Sequence, residues 1–285
     1  MFKSILQHLR LPFSLLLMPV YLFGVFETKH GLFHAHAMLL FVILHVLVYP
    51  SSNAFNSLQD KDEGSIGLIK NPLPPPPELS WVTLFMDILA IASSLWIHPL
   101  VVIGIFVYIL FSRLYSYRPI RLKQYPYIGF FTVFIFQGAW IFLLTQFTLT
   151  KDIQQCNWVQ AITASCLIGA VYPLSQIYQH EQDLKDGVKS ISAVLGHKGT
   201  FIFSGLIFML GTSLFCLNHF QENHFVVIKI FLALQFPVTS YFLYWAVKVW
   251  HNRKFADYKH TMQMNLIACI CMNCCFIVLT YLSST

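Results

Sequence analysis

Nine apolar segments, each near the roughly 20 residues that a helix needs to cross a bilayer, run the length of this chain. No other feature limits the fold as tightly. In hydrocarbon every backbone N–H and C=O must be satisfied within the protein, so such segments become helices packed on one another. They are read at about 11–28, 33–52, 79–96, 98–115, 127–147, 157–178, 199–217, 224–247 and 261–281. The third and fourth meet at Trp96–Pro99 and are short for two spans. Charged residues make up 11% of the chain, against roughly 25% in soluble domains, which excludes a soluble fold. The first segment lacks a small-residue cleavage site and reads as a retained helix, not a signal peptide. The expected architecture is therefore all-α: one polytopic membrane domain over 1–285, with nine transmembrane helices around a central cavity.

Charge orients the bundle. With the N-terminus in the cytoplasm, all of the 18 Lys and Arg except Lys29, Lys151 and Lys229 fall on the cytoplasmic side. The positive-inside rule predicts such an asymmetry for an odd number of spans. The net charge of +6 is thus topological and gives no reason to invoke nucleic acid. An integral, multi-pass protein of a bacterial inner membrane is expected. Cys271 and Cys274 lie inside an apolar run and read as packing residues rather than a metal or redox pair. The prolines of NPLPPPPELS, residues 71–80, exclude helix interior and read as a stiff strap returning the chain to the membrane.

Two polar islands interrupt this apolar chain, NAFNSLQDKDEG at 53–64 and YQHEQDLKDGVKS at 178–190, and both fall on the cytoplasmic side. Polar and ionisable groups at membrane segments are costly and mark functional sites. Asn53, Asn56 and Asp60 are spaced by three and four, so they share a helix face that must look into a cavity. Asp60, with Asp62 and Glu63 behind it, offers the oxygen ligands that Mg²⁺ prefers. In the second island Tyr178 opens the run, Asp183 and Asp186 are three apart, and Lys185 and Lys189 follow. Carboxylates beside lysines suit a metal diphosphate, the metal bridging anionic oxygens and lysine neutralising the rest. His180 reads as a polar cap. Between the fourth and fifth segments lie Arg113, Arg118, Arg121 and Lys123; Arg121 and Lys123 are the candidates for phosphate contact. A charged site at the mouth of an apolar chamber fits a ligand with an anionic head and a hydrocarbon tail, such as an isoprenyl diphosphate. Loss of the diphosphate develops allylic positive charge, from which water must be excluded.

The same residues carry a family resemblance. NAFNSLQD, 53–60, resembles the first Asp-rich motif of the UbiA superfamily of intramembrane prenyltransferases. YSYRPIRLKQYPYIG, 115–129, is similar to the family's basic connector, and QHEQDLKDGVKSISAVLG, 179–196, to its second motif. MQMNLIACICMN, 262–273, is similar to the last helix. The resemblance implies nine helices around a cavity and Mg²⁺-dependent transfer of an isoprenyl group from its diphosphate to an aromatic or lipid-like acceptor. Carried over, the catalytic residues are Asn56, Asp60 and Asp183. The metal ligands are Asp60 and Asp183, with Asp186, Asp62 and Glu63. Arg121, Lys123, Lys189, Tyr178 and Asn53 contact the donor. Three positions depart from the family pattern: Ser57 and Gln179 stand where Asp is usual, and Gly64 where many members keep an acid. These departures keep a second reading open, a degenerate member that binds or moves a prenylated lipid without catalysis.

Overall fold

The computed structural model describes residues 1–28, 30–60 and 64–284. Asp62 and Glu63 lie outside the described residues. Among the described residues the regular secondary structure is helical, apart from a bridge between Ile66 and Ile69. The long apolar helices are α1 (Phe2–Glu27), α2 (Ala35–Asp60), α3 (Leu79–Ser94), α4 (Pro99–Ser116), α5 (Pro126–Thr150), α6 (Trp158–Gln176), α7 (Ile191–Gln221), α8 (Phe225–His251) and α9 (Tyr258–Ser283). Eight of these are long and apolar enough to cross a membrane; α3, at 16 residues, is shorter. At 1.5 Å per residue α3 covers only about 24 Å of a core about 30 Å thick. The reason is local: the chain leaves the helix in turns at 95–97 before Pro99 starts the next.

Three of these helices start on side-chain caps. His98 Nδ1 accepts the Leu100 N–H at 3.1 Å, Asn157 Oδ1 the Gln160 N–H at 3.1 Å, and Ser190 Oγ the Ala193 N–H at 3.2 Å. Pro99 and Pro126 occupy first-turn positions, where a missing N–H costs nothing. α1 breaks at Arg10, which takes a left-handed φ of 46°. Two helices contain π-helical turns, Ile43–Val48 in α2 and Phe134–Trp140 in α5. The first ends beside the cavity-lining Tyr49 and the second contains the cavity-lining Phe136 and Gln137; such turns are frequent at functional sites.

Aromatic packing closes the bundle on the side away from the islands. Phe23 stacks on Phe276 at 4.6 Å and Phe215 on Phe231 at 3.9 Å, all four fully buried. α5 and α6 touch through small residues: a Cβ on Gly138 would meet Ser165 Cα at 2.4 Å. The outer surface carries exposed Phe85, Phe106, Leu206, Met209, Phe236 and Ile270, as a lipid-facing surface does. The proline-rich strap crosses the first turns of α1. Ser4 Oγ donates to Pro74 O at 2.8 Å, and Leu73 N–H donates to Gln7 Oε1 at 2.9 Å.

Candidate active site

The ends of α2, α4 and α6, the 117–125 connector and the short helix His180–Lys185 surround the mouth of one cavity of about 880 Å³. Its rim is polar and its depth apolar, reaching Phe23, Phe136, Met272 and Phe276. Asn53, Asn56, Asp60, Arg121, Lys123, Tyr178, Asp183 and Asp186 all line it. Lys189 does not; it is exposed, and Lys185 is the lysine of that island that reaches the lining.

The two islands meet through Arg121. Its Nη2 donates to Asp60 Oδ1 at 3.0 Å and also pairs with Asp186 Oδ2, while Nη1 donates to Asp186 O at 2.9 Å. Lys123 Nζ pairs with the other Asp60 oxygen and donates to Asn56 Oδ1 at 3.1 Å. Ser116 Oγ donates to the same Asn56 oxygen at 2.7 Å. Arg118 reaches Asp60 O at 3.3 Å and Asp186 Oδ1 at 3.4 Å. Arg121 has a left-handed φ of 43°, rare for a residue with a side chain. Its N–H donates to Tyr117 O at 2.7 Å, a turn that throws the guanidinium back over the cavity. Burial works against the Arg121 charge, but its hydrogen bond to Asp186 and the charge of Asp60 outweigh it and raise its pKa.

This donor set fits a hard divalent cation. Asp60, Asp183 and Asp186 bring carboxylates, Asn53 and Asn56 bring carboxamides, and ionised carboxylates keep spare lone pairs while bound to cations. The Asn53 Nδ2 is buried at the cavity wall with no hydrogen-bond partner, a polar group left to a ligand.

The departing positions have local explanations. Gln179 Nε2 approaches Ser65 O at 3.5 Å, linking the second island to the segment after the first. At Gly64 a Cβ would meet Gln182 Oε1 at 2.5 Å, so a larger side chain there requires that carboxamide to move. Ser57 is 2% exposed and turns away from the lining, its Oγ without a partner.

Other groups were not legible from spacing. Tyr115 Oη and Tyr172 Oη lie 2.6 Å apart on the cavity wall, with Gln176 Nε2 donating to Tyr172 at 2.8 Å. Arg10 also lines the cavity and donates to Asn53 O at 3.0 Å. Arg113 serves a different purpose. Its Nε donates to Asp87 Oδ2 at 3.0 Å, and Ser51 Oγ donates to Asp87 Oδ1 at 2.7 Å, a pairing that locks α2, α3 and α4 together. His180 caps rather than ligates here: its Nε2 lies 2.8 Å from Ser192 Oγ. Burial and the neighbouring His197 push its pKa down to about 4. All seven cysteines are free thiols.

Comparison with known proteins gives the same picture. The family model described as the UbiA prenyltransferase family matches residues 16–267. Among curated proteins none matches significantly. Among solved structures, the apo structure of a UbiA homologue from Aeropyrum pernix K1 superposes with TM-score 0.71 at 16% identity, covering 94% of this chain and 98% of that one. A UbiA homologue from Archaeoglobus fulgidus bound to DMAPP and Mg²⁺ gives TM-score 0.68 at 16% identity, covering 99% of each chain. A digeranylgeranylglyceryl phosphate synthase gives 0.65 at 18% identity, covering 99% of this chain and 98% of that one.

Proposed function

This chain belongs to the UbiA prenyltransferase family, and on that premise we propose that it transfers an isoprenyl group from an isoprenyl diphosphate to an aromatic or lipid-like acceptor, using Mg²⁺. One observation carries the reading: Arg121 and Lys123 are paired with the carboxylates of both islands at the mouth of an apolar cavity. The similar Archaeoglobus fulgidus homologue, solved with DMAPP and Mg²⁺ and with GPP and Mg²⁺, supports it.

The residues divide the work. In the ligand-free arrangement Asp60 and Asp186 neutralise Arg121, and Asp60 also neutralises Lys123. An entering diphosphate competes for those cations, because its anionic oxygens also make charge-assisted bonds to guanidinium and ammonium. Asp60 and Asp186 then turn carboxylate oxygens to metal, in the cavity that Asp183 also lines. Those carboxylates would hold Mg²⁺, which would supply charge neutralisation to the departing diphosphate. The C1–O bond breaks with its electron pair leaving on the diphosphate, a nucleophilic atom of the acceptor bonds C1, and that atom sheds its proton. The apolar depth, lined by Phe136, Met272 and Phe276, takes the hydrocarbon tail and keeps water from the developing cation. The tyrosine pair and Phe136 line that space, and aromatic π density attracts a cation. In the cell we place this mouth on the cytoplasmic side, by the distribution of Lys and Arg.

Diphosphate release from several isoprenyl diphosphates, with aromatic and lipid-like acceptors, tests the proposal. Transfer should require Mg²⁺ and collapse in Asp60→Asn. Donor binding that survives chelation, with no diphosphate released under any pairing, would instead identify a non-catalytic prenyl-lipid binder.

A further inference from the structure

The bundle end away from the cavity holds a second group of metal-ligating side chains that the transfer reaction does not use. α7 ends at Gln221, and Asn223 takes a left-handed φ of 59°. The His224 N–H donates to His219 O at 2.8 Å and the Asn223 N–H to Phe220 O at 3.0 Å. This pair of bonds closes the helix and folds the chain back over its last turn. His219, Glu222 and His224 thereby present ligand atoms within 4.8 Å of one another. Glu222 Oε2 lies 3.0 Å from His224 Nδ1 and 3.8 Å from His219 Nδ1.

His219 is the informative member. It is 2% exposed, set against Phe215 at 4.4 Å and Phe26 at 5.7 Å, and its Nδ1 is buried without a hydrogen-bond partner. The 3.8 Å to Glu222 is too long to be such a bond. Its other nitrogen, Nε2, lies 3.1 Å from Glu27 Oε1 at the end of α1. Nε2 also lies 3.3 Å from Gln160 Nε2. In the tautomer with its proton on Nε2, directed at the Glu27 carboxylate, the Nδ1 lone pair is left to the side of Glu222 and His224. Metal-binding histidines are held in this way, with the far nitrogen donating to a carboxylate.

We propose that His219 Nδ1, Glu222 Oε2 and His224 Nδ1 bind one divalent transition-metal ion of the Zn²⁺ type at the membrane face opposite the diphosphate cavity. Two imidazole nitrogens and one carboxylate oxygen suit a borderline cation better than Mg²⁺. The Glu222 and His224 side chains are 48% and 40% exposed, which gives the ion a route in and leaves a fourth position to water. The end of α7 is the negative pole of its helix and favours a cation. Through Glu27 the ion ties the α7–α8 turn to α1, so its role is to clamp the bundle.

The test uses the full-length protein, stripped of metal in detergent, in an Asp60→Asn background that weakens the cavity cluster, with Co²⁺ as the probe. One Co²⁺ with tetrahedral d–d absorption, displaced by Zn²⁺, is expected. Glu222→Gln and His224→Ala alter half-exposed side chains and leave packing intact; each should weaken Co²⁺ binding by roughly 100-fold or more, and Glu27→Gln by roughly 10–100-fold. The exposed His251→Ala should change nothing. Absence of the d–d bands, or an affinity that Glu222→Gln and His224→Ala both leave unchanged, would overturn the site.

Discussion

Asp60 holds two cations with its two oxygens, so removing its charge should loosen Arg121 and Lys123 and take away a proposed metal ligand. Asp60→Asn is expected to lower kcat by roughly 10²–10³-fold, the range seen when one preorganised electrostatic group is lost. Steady-state diphosphate release measures it. Gln179→Asp tests the opposite direction. The carboxamide approaches Ser65 O at 3.5 Å, a weak contact to lose, and a carboxylate there adds an anionic oxygen to the second island. Half-saturation by Mg²⁺ should shift to lower concentration in this variant; a shift to higher concentration would show that Gln179 positions the loop instead. His180 gives a pH signature. Its pKa in the folded protein, about 4, is below the ordinary histidine value, so folding favours the neutral ring. That stability is present above about pH 6.5 and is lost as pH falls toward 4. Thermal melts should show greater acid sensitivity between pH 6.5 and 4.5 in the native protein than in His180→Gln.

At the scale of elements, the α7 entry depends on Gly196. Its φ of 65° and ψ of 174° lie in a region open to essentially no residue but glycine. Gly196→Ala should cost about 1–3 kcal/mol, read as a lowered midpoint of unfolding in detergent. The Asn53–Asn56–Asp60 stripe was legible because helical spacing alone puts three polar groups on one face, and lipid forbids that face an outward orientation. What spacing did not carry is how elements distant in the chain meet. Nothing local marks the left-handed turn at Arg121 that joins Asp60 to Asp186, because non-glycine positive φ has no residue signature there. Arg113 had the composition of a headgroup anchor; its partner Asp87 sits on another helix, and no periodicity links the two. The shortness of α3 was hinted at by the crowded Trp96–Pro99 joint. His219 and Glu27 belong to different spans, and each alone reads as an ordinary helix-end polar residue.

At the scale of the whole molecule, the bundle is polarised. Both islands and the basic connector gather at one end, an aromatic layer around Phe23 and Phe276 closes the middle, and the Glu27–His219 cluster sits at the other end. From the distribution of Lys and Arg we propose that the first end faces the cytoplasm. A cysteine at exposed Gln155 should react with an impermeant thiol reagent in intact cells, while one at exposed Lys254 should react only after permeabilisation. The central claim is that the two islands and the connector form one metal–diphosphate site. A structure with an isoprenyl thiodiphosphate and Mg²⁺ tests it most directly. The account predicts diphosphate oxygens on Arg121 and Lys123, metal on Asp60 and Asp183, and the prenyl chain in the cavity; diphosphate bound away from both islands, or metal held by Cys271 and Cys274, would contradict it.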